Sequence, residues 1–94
     1  MRSARLDLQK LSSMILAGLP AEEAAVLAWP LVCGSAVAER TQALSFASGA
    51  LHVRVPDAGW RSQLEAFSVK YCEKLSSLLG DKIYRIEFQI ASGP

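Results

Sequence analysis

The sequence predicts a two-layer α+β fold in which helices cover one face of a three-stranded sheet, and three observations predict it. Apolar residues recur with helical spacing in three segments. The spacing switches to strict alternation in three others. Glycine or proline stands near most of the changes of period. The predicted order is helix, helix, strand, strand, helix, strand, and the apolar face of such a sheet needs the helices as its second layer.

The first helix spans residues 4–16. Leu8, Leu11 and Ile15 form its stripe, Leu6 and Met14 widen it, and Arg5, Asp7, Gln9 and Lys10 take the wet side. Gly18 and Pro20 end it. The second helix begins near Ala21, with Glu22 and Glu23 in the first turn, where carboxylates favour the positive end of the helix dipole. Its apolar set is Val26, Trp29, Val32, Cys33, Ala36 and Val37, and it runs out near Arg40. Pro30 removes a backbone donor and is expected to kink or split this helix. Gly34 is expected to allow a close contact or a second bend.

Residues 43–55 change to period two. Leu44 and Phe46 alternate with Ser45 and Ala47, and Leu51, Val53 and Val55 alternate with His52 and Arg54. Ser48-Gly49-Ala50 lies between them as a tight turn in which glycine supplies the positive φ, so the pair reads as a β-hairpin. Pro56 and Asp57 stop the second strand, and Asp57 is placed to cap the next helix. Trp60, Leu64, Phe67, Tyr71, Leu75, Leu78 and Leu79 then form one helical stripe of about five turns, closed by Gly80. In the last strand Tyr84, Ile86, Phe88 and Ile90 share one face, while Arg85, Glu87 and Gln89 share the other. This strand has to travel back across the long helix to join the hairpin. The positions expected to hold the fold are Trp29, Gly34, Gly49, Trp60, Leu64, Phe67, Gly80 and Phe88.

Ninety-four residues fit a single domain, 1–94, with an ordered core of about 4–90. Apolar residues make up 51% and charged residues 20%, which excludes a disordered chain. Net charge is +1, so any nucleic-acid contact must rest on local clustering. Cys33 and Cys72 sit in apolar segments without ligand spacing and read as buried free thiols. The start, MRSARLDLQK, is a poor signal peptide, and the longest near-apolar stretch is too short to span a membrane. The expected location is the cytoplasm.

The parts of an enzyme are missing from the pattern. His52 is the single histidine, no serine lies in a nucleophile elbow, and no phosphate-binding glycine pattern or metal-ligand spacing occurs. Glu22 and Glu23 are adjacent on a helix and point apart. No catalytic residue, metal or cofactor is expected. The cations offer a different function. Arg54 and Arg85 fall on the polar sheet face with His52 and Gln89. Arg40 and Arg61 lie at helix ends near the hairpin, and Lys82 starts the last strand. These five are the candidate phosphate contacts, although Glu39, Asp57 and Glu87 are interleaved and no aromatic residue interrupts the polar face to stack bases. On the first helix, Leu6, Leu11 and Met14 are candidate anchors for a protein partner, because the stripe is wider than a small sheet can cover.

One ordered set of residues carries a resemblance. It runs Trp29, Val32, Gly34, Ala38 and Thr41, then Gly49-x-Leu51-x-Val53-x-Val55. It continues through Trp60-x-x-x-Leu64, Leu75, Leu78, Gly80, Ile83, Ile86 and Phe88. Over roughly Leu6 to Ile90 the chain resembles the DciA family. The resemblance implies a KH-like fold, a role in loading or regulating the bacterial replicative helicase, and contact with single- or double-stranded DNA. No membrane or small-molecule partner is implied. The G-x-x-G spacing that clamps nucleic-acid backbone in RNA-binding KH domains is absent, which argues against binding in that manner. Two other functions stay open at this point: a KH-like RNA-binding or ribosome-associated module, and a protein-interaction domain without nucleic-acid binding.

Overall fold

The computed structural model describes residues 18–80 and 83–91. The helix expected over 4–16, with Leu6, Leu11 and Met14, lies outside the described residues, as does Lys82. Within them the elements are α1 (Ala21–Cys33), α2 (Ser35–Ala38), β1 (Gln42–Ala47), β2 (Ala50–Val55), α3 (Ala58–Ala66), α4 (Ser68–Leu79) and β3 (Arg85–Ile90). The sheet order is β1-β2-β3. β1 and β2 form the antiparallel hairpin, and β3 returns to lie parallel to β2, with Ala50 opposite Arg85 and Val55 opposite Ile90. The result is an α+β sandwich of the KH-like kind with a mixed three-stranded sheet.

The alternation of β2 and β3 becomes a buried face. Leu51, Val53 and Val55 of the central strand are at most 1% exposed, and Ile86 and Phe88 beside them are also buried. From α1 come Ala24, Ala25, Ala28 and Trp29, and from the later helices Leu64 and Leu75. The small alanines let α1 approach its neighbours closely, and Trp29 fills the space at the centre. Its ring meets Tyr71 edge-on with centroids 5.2 Å apart and Phe88 at 6.1 Å. Its indole Nε1 donates to Thr41 Oγ1 at 3.0 Å, and Thr41 Oγ1 in turn donates to the Val37 carbonyl at 2.8 Å.

Local signals set most of the boundaries. The hairpin turn has positive φ at both Ser48 (53°) and Gly49 (77°), as a type I′ turn requires. A Cβ at Gly49 would also run into the Tyr84 ring. The Asp57 carboxylate accepts from the Trp60 N–H at 2.9 Å and starts α3. Gly80, left-handed at φ 70°, ends α4.

Five features differ from the expectation. Helix α1 runs unbroken through Pro30, which is exposed, and the chain bends instead at Gly34 (φ 87°), where no neighbour approaches closely. α2 ends at Ala38, short of Arg40. In β1 the register shifts between Ala43 and Ser45, so Leu44 is the extra residue of a bulge. Ala43 and Phe46 pack on the core, and Leu44 is 40% exposed. The long helix is two helices that break at Phe67 (φ −104°, ψ 5°). There the Phe67 N–H reaches back to the Leu64 carbonyl in a tightened last turn, and Phe67, expected in the core, is half exposed. The break lets α3 pack on β2 and β3 while α4 reaches α1 and β3. Finally, Tyr84 precedes β3, lies over Gly49 and is 72% exposed, because the Tyr84 and Arg85 N–H groups both donate to the Gly49 carbonyl.

Trp29 is fully buried, whereas Trp60 is partly buried. Trp29→Ala is therefore expected to cost about 3–5 kcal/mol, the range for large-to-small aromatic changes in cores. Thr41→Val, which strands the indole N–H, is expected to cost about 1–3 kcal/mol. Trp60→Ala should cost less than Trp29→Ala. Chemical denaturation midpoints test the ranking, and a Thr41→Val protein as stable as wild type contradicts it.

Candidate nucleic-acid interface

The sheet face away from the helices carries the polar side chains of β2 and β3. At its centre His52 Nδ1 lies 3.2 Å from Gln89 Nε2 and 4.0 Å from a Glu87 carboxylate oxygen. At one end the Arg54 guanidinium donates to the Gln42 side-chain carbonyl. At the other, Arg85 holds Glu87 through both Nε and a terminal nitrogen at 2.7 Å. The parallel register places Arg54 opposite Gln89 and Arg85 opposite Ala50. The two arginines are thus four positions apart along the strands, about 13 Å at the usual rise per residue. Glu87 lies between them. They do not form one phosphate clamp.

Arg40 and Arg61 regroup the cations. Arg40 lies two residues before the start of β1, which pairs with the end of β2 through Gln42 and Arg54. The end of β2 leads through Asp57 into the first turn of α3, where Arg61 sits. Arg40, Arg54 and Arg61 are all exposed at this end of the sheet, and no ion pair engages any of them among the described residues. Arg85 belongs to the opposite end. Helical and strand periodicity assign each of these residues to a face, but only the pairing of β2 with β3 assigns it to an end.

Of the positions expected to hold the fold, Trp29, Leu64 and Phe88 are buried, Trp60 is partly buried, and Gly34, Gly49 and Gly80 all take positive φ. The exposed apolar residues Leu27, Leu31, Val69 and Tyr84 were not foreseen. Their spacing fits helices and strands equally well with the side chain in or out.

Among the described residues no group of acidic, histidine or cysteine side chains could hold a metal ion, and no helix is long and apolar enough to cross a membrane. Cys33 and Cys72 are free and partly buried. Burial pushes the Cys33 thiol up to about 11, against a smaller lowering from its hydrogen bond, and burial also raises Cys72 and Tyr71.

These features define a class: a small KH-like α+β domain with a polar open sheet face and no assembled catalytic or metal cluster among its described residues. Residues 7–88 match the family model described as "Dna[CI] antecedent, DciA", and the chain belongs to that family. It is a family of helicase-loading adaptors and not of enzymes. No curated protein matches the chain.

A thiol raised from about 9 to about 11 has roughly a hundredfold less thiolate at pH 8. Cys33 in the folded chain should therefore alkylate with iodoacetamide far more slowly than in the urea-unfolded chain, with the rate rising as pH approaches 11. Equal rates at pH 8, read by mass spectrometry, contradict the burial assigned to it.

Proposed function

We propose that this chain is a non-enzymatic adaptor that binds the bacterial replicative helicase in the cytoplasm, assists its loading at replication initiation, and touches DNA weakly. Membership of the DciA family over residues 7–88 is the observation that carries this reading. The physical features agree with it. A complete core without catalytic parts leaves binding as the task. A net charge of +1 favours a protein as the principal ligand. The reading takes residues 1–94 as one domain. Leu6, Leu11 and Met14 are the proposed anchors of the helicase contact.

DNA contact is assigned to Arg40, Arg54 and Arg61, with Lys82 and Arg85 as secondary contributors. Arg85 is discounted because its guanidinium already serves Glu87. So few cations neutralise few phosphates, and the slope of log affinity against log salt should correspond to about two to four contacts.

Two measurements test these assignments. In fluorescence anisotropy with single- and double-stranded oligonucleotides, Arg40→Ala, Arg54→Ala and Arg61→Ala together should lower the slope by about two to three, whereas Arg85→Ala should lower it by less than one. A slope unmoved by the triple change removes the arginine cluster from the account. Size-exclusion chromatography with purified helicase from the same organism should show co-elution at tens of micromolar, an affinity of about −6 kcal/mol or better. Separate elution contradicts the adaptor reading.

A further inference from the structure

Strand β3 is an edge of the sheet. The Arg85 N–H donates to the Gly49 carbonyl at 3.2 Å, and the Ala91 N–H donates to the Val55 carbonyl at 2.8 Å. The parallel register between these points has no shift. Odd-numbered residues of β3 are therefore the ones that bond β2, because alternate residues of a strand turn their main-chain groups to opposite sides. The N–H and C=O groups of Ile86, Phe88 and Ile90 point out of the sheet, and among the described residues no strand pairs with them. The other edge is blunted, since β1 is bulged at Leu44 and packed by α1. β3 has no bulge and offers six regular residues.

A groove of about 560 Å³ runs beside this edge between α4 and the start of β3, with Val69, Cys72, Glu73, Ile83, Tyr84 and Ile86 among its walls. Val69 and Tyr84 are each 72% exposed. An open row of main-chain donors and acceptors is completed by another extended backbone. A phosphate chain fits poorly, because the groove carries Glu73 and its Arg85 is tied to Glu87.

The order of charges selects the occupant. In an antiparallel pair of identical strands with these outward groups facing each other, the two-fold axis falls on a residue. An axis at Ile86 sets Arg85 opposite Glu87 of the partner subunit, and Glu87 opposite the partner subunit's Arg85. An axis at Glu87 opposes two carboxylates. An axis at Phe88 leaves Arg85 without a charged residue across from it. We propose that two copies of this chain pair antiparallel along β3 about Ile86, joining two three-stranded sheets into one of six strands, with the α4 helices flanking the junction.

The test uses the whole chain and needs no helicase, so it stands apart from the adaptor reading. Sedimentation equilibrium should show a monomer–dimer equilibrium. Amide exchange at Ile86 and Phe88 should slow as protein concentration rises, while Glu87 and Gln89 stay protected throughout. Arg85 and Glu87 are solvent-accessible, so charge changes there leave the core in place, which circular dichroism checks. Glu87→Arg puts like charges across the junction and should weaken the dimer by about tenfold or more, 1.4 kcal/mol. Combining it with Arg85→Glu should restore wild-type association. A wild-type monomer at about 500 µM, an affinity weaker than about −4.5 kcal/mol, overturns the proposal. So does a Glu87→Arg chain that dimerises as well as wild type. A monomer whose Ile86 and Phe88 amides exchange slowly also overturns it, and assigns the edge to another part of the same chain.

Discussion

Trp29 has to be buried whole and its indole N–H has to find an acceptor, and the placing of several elements follows from those two needs. The ring occupies the space between α1, α4 and β3, against Tyr71 and Phe88. The acceptor is Thr41 Oγ1, which the turn after α2 carries into position. That hydroxyl has a partner of its own in the Val37 carbonyl. No described buried side-chain nitrogen or oxygen is left without a partner. The bend at Gly34 matters because it sets α2 at the angle that closes this chain of bonds.

A core on one side of a three-stranded sheet leaves the other side to polar residues. The fold thereby separates two kinds of surface. The outer sheet face and the Arg40–Arg54–Arg61 end are polar and cationic, while α1 and α4 present exposed apolar residues, Leu27, Leu31 and Val69. In the proposed function the first suits DNA and the helical side suits protein. The modest net charge is what such a division leaves when neither surface dominates.

Much of the fold was legible in the sequence because local chemistry decides it. Ser48-Gly49 specifies a turn with positive φ, Asp57 caps a helix, Gly80 ends one, and the alternation in β2 and β3 marks the buried face. The features that depart from the sequence pattern are decided by packing. Nothing at Leu44 announces a bulge, and the break at Phe67 lacks glycine or proline. Its stripe continues in register, yet α3 and α4 have different surfaces to cover. Pro30 is exposed and lies within an unbroken α1, so proline alone does not place the bend. The candidate site was legible as to face and illegible as to end, because the pairing of β2 with β3 is a long-range choice. Lys82, Leu6, Leu11 and Met14 lie outside the described residues.

In the proposed function, helices meet the helicase and the open sheet face does not. Hydrogen–deuterium exchange of the whole chain with and without purified helicase tests it most directly. The account predicts slowed exchange foremost in residues 4–16, where the sequence leads one to expect a helix, with His52, Arg54 and Gln89 unchanged. Protection confined to β2 and β3, or none at concentrations that saturate a complex of tens of micromolar affinity (about −6 kcal/mol), would contradict it.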